Sequence, residues 1–303
     1  FWDWSGGMPA YLNWVGDGPW FQQGDPAHPW PQYADYSARL YANQKANALF
    51  RHYVTSLVSR VSTVTGKPYR DDPTIMAWQL ANEPRPGGSD AFGKSNMPAY
   101  QAWIRDTASL IKRLDNQHLV TTGSEGTMGC MGLESCVVDA HAPPVIDYMT
   151  IHIWPNNWGW ISMTDQPSTY EAGEQKCRDY VAQHIALAKR LNKPLTIEEF
   201  GLIRDGRQFA PGSPTTYRDR FYKTMLDLAL ADMKAGGPTA GVNFWAWNGE
   251  GRAQQPDAWF KKGDKSYVGD PPQEEQGLFG VFDADASTLA VINAHAAAVK
   301  GLG

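Results

Sequence analysis

From Asn43 onward the apolar residues fall three and four apart: Ala46, Leu49, Phe50, Tyr53, Val54, Leu57, Val58 and Val61. That spacing puts them on one helix face, and Gly66-Lys67-Pro68 is the expected stop. A repeating alternation follows. Short apolar runs at 74–81, 118–122, 148–154, 194–200 and 241–247 read as strands. Between them lie helical patterns at 95–115, 169–191 and 215–235, with Ser95 the expected N-cap of the first and Gly236-Gly237-Pro238 the end of the last. A final helix is expected from about Ser287. Residues 1–36 are rich in Gly, Pro and Trp, show no period, and predict no element. Two long connections, 123–146 and 248–286, far exceed the ~2–6 residues usual for loops between strand and helix.

Strand–helix alternation without an interrupting linker predicts one α/β domain over 1–303 built on parallel strands. Strands buried in a doubly wound sheet read as continuous apolar runs. Here Thr150, His152 and Trp154 share one face and Met149, Ile151 and Ile153 the other. Likewise Asn243, Trp245 and Trp247 oppose Val242, Phe244 and Ala246. Polar and aromatic groups toward strand C-termini fit a TIM (β/α)8-type barrel, whose strand ends line a pocket. About five βα units are legible where a closed barrel has eight. The chain opens on Phe inside a loop, so either the sheet is open or three strands lie upstream of Phe1.

Scattered Lys and Arg in a net charge of −5 leave no electrostatic footprint for nucleic acid. No apolar run approaches the ~20 residues of a membrane span. The aromatics change the picture more. Thirteen Trp are too many for helix packing alone, and several stand in Gly/Pro loops: Trp2 and Trp4 in FWDWSGG, Trp158 in WPNNWGW. Indoles in such loops either cap the core or form flat apolar platforms suited to sugar rings. The three cysteines form no zinc pattern. A Cys130–Cys136 bridge has no requirement behind it, and three free thiols are expected.

Chemistry gathers at the predicted strand ends: Asn82 and Glu83, Glu125, His152 and Trp154, Glu198 and Glu199, Trp245. Alternation lets only one of Glu198 and Glu199 face the barrel axis. Two carboxylates ~5–5.5 Å apart divide labour at a sugar acetal, one attacking the anomeric carbon and the other protonating the leaving oxygen. Asn82 is placed to hydrogen-bond a sugar 2-hydroxyl, and His152 to orient a carboxylate.

Over essentially its whole length the chain resembles glycoside hydrolase family 5, in the branch of β-mannanases and β-mannosidases. The matching motifs are NEP at 82–84, HIW at 152–154, EEFG at 198–201 and FWAW at 244–247. The resemblance implies Glu83 as acid/base, Glu199 as nucleophile, His152 as a site histidine and Trp245 as floor of the cleaved sugar's subsite. Trp154 stands where the family commonly carries Tyr. FWDWSGGMPAY resembles the loop after the third barrel strand, so the first two strands, most of the third and an arginine usual near the end of the second would precede Phe1. The resemblance thus implies an N-terminally truncated barrel, poorly stable and weakly active alone, or a longer natural protein. The loops GMPAYLNW, GSEGTMGC and GDPPQEEQGLFGVFD resemble the mannan-active branch, the last leaning toward exo action. The implied function is retaining cleavage of β-1,4-mannosidic bonds in mannan or mannooligosaccharides by a secreted or periplasmic monomer without metal or cofactor. Endo-mannanase, glucan-active relative and non-catalytic sugar binder are the competing readings.

Overall fold

The strand–helix alternation is realised in the computed structural model, which describes residues 1, 7–19, 25–271 and 274–302. Trp2 and Trp4 lie outside the described residues. Two compact units are present: Phe1–Ile151 with Arg190–Pro194, and His152–Lys189 with Leu195–Gly303.

The first unit holds α1 (Gly7–Trp14), α2 (Trp30–Ala38), α3 (Gln44–Val58), β1 (Ala77–Gln79), α4 (Asp90–Leu114), β2 (Leu119–Thr121) and α5 (Glu134–His141). Helices α1 and α2 escaped the periodicity reading because they are short and held by burial. Met8, Tyr11 and Leu12 of α1 and Tyr33 and Ala34 of α2 are core residues, and Pro31 is tolerated in the first turn of α2. Asn43 caps α3, its side chain accepting from Ala46 N at 3.0 Å. That helix ends at Val58, well before Gly66. The backbone of 60–69 is instead used in a return turn, with Ser62 N donating to Lys67 O and Tyr69 N to Arg60 O. Phe50 of α3 meets Trp103 of α4 with ring centroids 5.8 Å apart.

Helix α4 starts five residues before the expected N-terminus. Ser89 is its N-cap, accepting from Phe92 N at 3.4 Å, with Asp90 in the first turn. Ser95 is interior and donates to Phe92 O at 2.8 Å. Strands β1 and β2 pair in parallel, Trp78 opposite Val120. The Trp78 indole donates to Asp115 Oδ2 at 2.7 Å, fixing β1 to the end of α4.

The expectation of three free thiols is corrected: Cys130 and Cys136 form a disulfide, their Cα atoms 5.6 Å apart. A short 3-10 turn at Met128–Cys130, then Gly132 at φ +73°, reverses the chain into α5 and brings the pair together. Closing so small a loop contributes ~2 kcal/mol in the chain-entropy account. Cys177 is free and buried.

Strand β3 (Met149–Ile153) runs from the first unit into the second, which continues with α6 (Gln166–Leu191), β4 (Leu195–Phe200), α7 (Thr216–Lys234), β5 (Thr239–Val242), β6 (Trp247–Gly249), β7 (Val281–Phe282) and α8 (Ala286–Lys300). The sheet order is β3-β4-β5, with β4 and β5 parallel. Strand β5 stops at Val242, so the alternation expected over 241–247 fails. Asn243 N and Trp245 N still bond to Ile197 O and Phe200 O. Two residues there span three of β4, and the period of two is lost.

The apolar stripe of α7, with Phe221, Tyr222, Met225 and Leu226, also contains a fully buried Arg218. Arg218 donates to Leu202 O, Leu278 O and Gly280 O at 2.9, 3.2 and 2.7 Å. Arg204, equally buried, pairs with Asp285. These cations hold the end of the long 248–286 connection. No helix among the described residues is long and apolar enough to cross a membrane.

Candidate active site

In the first unit the end of β1 turns sharply at Glu83, whose φ of +50° lies in the left-handed region. A non-glycine residue there is held against its preference. Each neighbour is tied down. Glu83 N donates to Gly123 O at 2.9 Å. Tyr100 Oη donates to Pro84 O at 3.1 Å, and Asn96 Nδ2 to Pro86 O at 2.9 Å. Asp35 accepts from Gly88 N and Ser89 N. Gly123 is required for the approach: at φ +76°, a Cβ there would lie 1.9 Å from Ala81 O. Asn82 and Glu83 are both half-buried.

Glu125, expected to touch substrate, is 1% exposed and ion-paired with Arg85. The Arg85 guanidinium also lies over the Trp30 ring, 5.5 Å from its centroid. Arg85 directly follows the NEP motif, so this pair reads as a brace on the turn that carries Glu83. Arg85 carries no motif of its own in the sequence. A buried carboxylate at a neighbouring strand end was the signal that it needed a cation.

In the second unit His152 is 1% exposed on β3. Its Nδ1 lies 3.3 Å from Glu199 Oε2 and its Nε2 3.7 Å from Glu198 Oε2. The expected choice between the two glutamates is thus softer than alternation predicts: one imidazole on the adjacent strand reaches both. The shorter contact belongs to Glu199.

Beside this triad stands an aromatic wall. Trp154 meets Trp245 edge-on at 6.2 Å and Phe279 at 5.0 Å between centroids, and Ile203 and Leu278 pack behind. Trp154 and Trp245 each stay half-buried. The glycine of EEFG has a steric reason: a Cβ on Gly201 would lie 2.8 Å from Trp154 Cζ3 and 3.3 Å from Phe279. Tyr222 Oη donates to Trp245 O at 3.0 Å. Trp158 packs elsewhere, against Trp160 and Tyr180.

Phe279 belongs to a loop knotted by Asp270, which accepts from Gly277 N and Phe279 N. Burial pushes the Asp270 carboxyl up to about 6. Glu274, half-buried, accepts from Asn157 Nδ2 at 3.2 Å, and burial followed by the Asp270 charge pushes it to about 7. Glu275 binds Arg207 through both oxygens, at 2.9 and 3.0 Å. Both raised carboxyls hold protons that the unfolded chain has released. Their contribution to stability is full below the unfolded values of 3.8 and 4.5 and is lost as pH rises through about 6 and 7. Asp270→Asn, which keeps one acceptor, should therefore flatten the fall of the urea midpoint between about pH 4 and pH 6. A variant whose midpoint tracks the parent's across that range would contradict this.

Parallel strands with carboxylates, a histidine and indoles at their C-terminal ends define the class of barrel glycoside hydrolases. Comparison makes the assignment specific. A family model described as GH family 5 beta-mannosidase-like matches residues 1–303. Mannan endo-1,4-beta-mannosidase 4 of Oryza sativa subsp. japonica is 31% identical over 253 residues, covering 79% of this chain and 49% of its own length. The crystal structure of a glycoside hydrolase family 5 mannosidase from Rhizomucor miehei superposes with a TM-score of 0.84 at 30% identity, covering 99% of this chain and 70% of that one. An endo-beta-1,4-mannanase from Thermotoga petrophila gives 0.67 at 26% identity, covering 96% and 54%. The chain belongs to glycoside hydrolase family 5, in its β-mannosidase-like group. Its fold is accordingly the TIM-barrel-like one of those hydrolases. The chain spans about half the length of the first curated relatives it matches.

Proposed function

We propose that the protein is a retaining glycoside hydrolase that cleaves β-1,4-mannosidic bonds, with Glu199 as nucleophile and Glu83 as acid/base. The observation that carries the reading is the His152–Glu199 contact beside the Trp154–Trp245–Phe279 wall. Glu199, ionised, attacks the anomeric carbon as the glycosidic C–O bond breaks. Glu83 gives its proton to the departing oxygen. In the second step Glu83 takes a proton from water, the hydroxide attacks the mannosyl–Glu199 ester, and sugar leaves with its β configuration restored. His152 orients the Glu199 carboxylate, Asn82 serves the 2-hydroxyl, and Trp245 floors the subsite of the cleaved sugar, with Trp154 at its side.

Exo action is the finer reading. It is supported by the 248–286 connection, whose Asp270 knot, Arg207–Glu275 pair and Asn157–Glu274 bond rigidify a bulky loop at the aromatic wall. The higher TM-score to the Rhizomucor mannosidase points the same way. Endo cleavage is favoured by the names of the curated relatives. The Cys130–Cys136 disulfide supports an exported protein, since such bonds persist in oxidising compartments. The test is hydrolysis of β-1,4-mannooligosaccharides and cellooligosaccharides of matched length, followed by NMR from the first turnover. We expect mannose released singly, as the β anomer. Preferential cleavage of cellooligosaccharides, or a first-formed α anomer, would overturn the assignment. Rapid viscosity loss on mannan would move it to endo.

A further inference from the structure

The segment Trp154–Trp160 carries more aromatic surface than the aromatic wall uses. Trp158 and Trp160 turn to Tyr180 of α6: centroids are 4.8 Å apart between the indoles, 5.3 Å from Trp158 to Tyr180 and 5.8 Å from Trp160 to Tyr180. The segment is fixed in place. Trp158 N donates to Trp154 O at 2.9 Å and Trp160 N to Pro155 O at 2.8 Å. Asn156 links Ile161 O and Ile203 N through its two side-chain atoms. It also sits hard on α6, where a Cβ on Gly173 would lie 2.5 Å from Trp160 O.

Aromatics gathered only to fill a core would be covered. Tyr180 is, at 5% exposed, but both indoles stay half-exposed. Beside them lies a shallow, largely open depression of about 400 Å³, lined by Trp160, Lys176, Asp179, Tyr180 and Gln183. That volume is within the ~300–1,000 Å³ of small-ligand sites. Its make-up is a flat apolar face with one cationic, one anionic and one amide group on the rim. A hexose offers the complement: a C–H face for the indole, and hydroxyls that both donate and accept.

We infer that the Trp158–Trp160–Tyr180 face is a second carbohydrate-binding site, taking a stretch of β-linked hexose polysaccharide without cleaving it. Only the choice of mannan as polymer rests on the function proposed above. A chain held there raises the local substrate concentration for the hydrolytic site on polymer, and does nothing for small substrates.

Affinity electrophoresis in native gels tests this, using galactomannan, a soluble β-1,4-glucan, or no polymer. Glu199→Ala serves as the uncleaving parent, with Trp160→Ala and Lys176→Ala/Asp179→Ala added to it. We expect galactomannan to retard the parent, and Trp160→Ala to weaken apparent affinity about tenfold, as for truncation of an aromatic anchor. In the otherwise native enzyme Trp160→Ala should leave aryl β-mannoside hydrolysis unchanged and slow hydrolysis of polymeric mannan. The exposed-residue double variant guards against misfolding and should also reduce retardation. Retardation equal to the parent's in both variants, or a parent that no polymer retards, overturns the inference. Retardation by glucan alone, lost in Trp160→Ala, would support the site while counting against mannan as substrate.

Discussion

Glu199→Ala should lose β-mannoside hydrolysis by on the order of 10⁴–10⁶-fold, the scale for removing a covalent nucleophile. The loss should fall on kcat, because the aromatic wall proposed to hold the sugar is left in place. Glu83→Ala should behave differently, and that contrast makes the assignment testable. A general acid contributes about 10²–10⁴-fold, and most of that is unneeded when the leaving group is an acidic phenol. Glu83→Ala should therefore be slow on mannobiose yet form the glycosyl-enzyme readily from a dinitrophenyl mannoside, then stall for want of a base. Added azide should relieve the stall and release β-mannosyl azide. Glu198→Gln, removing the charge farther from His152, should cost far less than Glu199→Ala. If Glu198→Gln abolishes turnover while Glu199→Ala retains it, the two roles are reversed. If neither substitution matters, the catalytic reading fails.

Much of this site was legible because chemistry at strand ends survives in the sequence as short motifs. The positions of β1, β2, β3 and β4, and the candidate residues Glu83, His152, Trp154 and Trp245 with one of Glu198 and Glu199, came from runs that break from apolar to polar at one point; the choice of Glu199 came from the family resemblance of EEFG. What escaped had no local signature. Glu125 looked like a ligand contact because its partner, Arg85, sits on another strand end. Trp158 looked like part of the site because six residues of loop do not say which way a ring turns. The disulfide was missed because a six-residue separation fixes no geometry until Gly132 adopts its left-handed turn. Helices α1 and α2 are stabilised by burial rather than by their own period. Arg218 left a usable trace, a charge on the apolar stripe of α7.

That trace leads to the largest stability effect expected. Arg204 and Arg218 are both fully buried, and Asp285 Oδ2 approaches both, lying 3.7 Å from Arg218 Nη1. Asp285 also accepts from Phe282 N at 2.9 Å. Removing the carboxylate strands two guanidinium groups beside each other in a region that water does not reach. Asp285→Ala should destabilise the second unit by ~3–5 kcal/mol, the cost of breaking a buried ion pair by deleting one partner. Urea denaturation should show it as a lowered midpoint. Arg204→Met in the same chain should recover part of the loss, because one stranded charge is gone and its volume is kept. The effect should reach the site as well. Arg218 donates to Leu278 O and Gly280 O, and between them Phe279 presses on Trp154. Loosening that loop should raise KM for mannooligosaccharides more than it lowers kcat, if the wall is the proposed sugar platform and the carboxylates the proposed catalysts. An Asp285→Ala unfolding free energy within about 0.5 kcal/mol of the parent's would mean that the arginines are satisfied by backbone carbonyls alone, and the network would then be packing rather than electrostatic support.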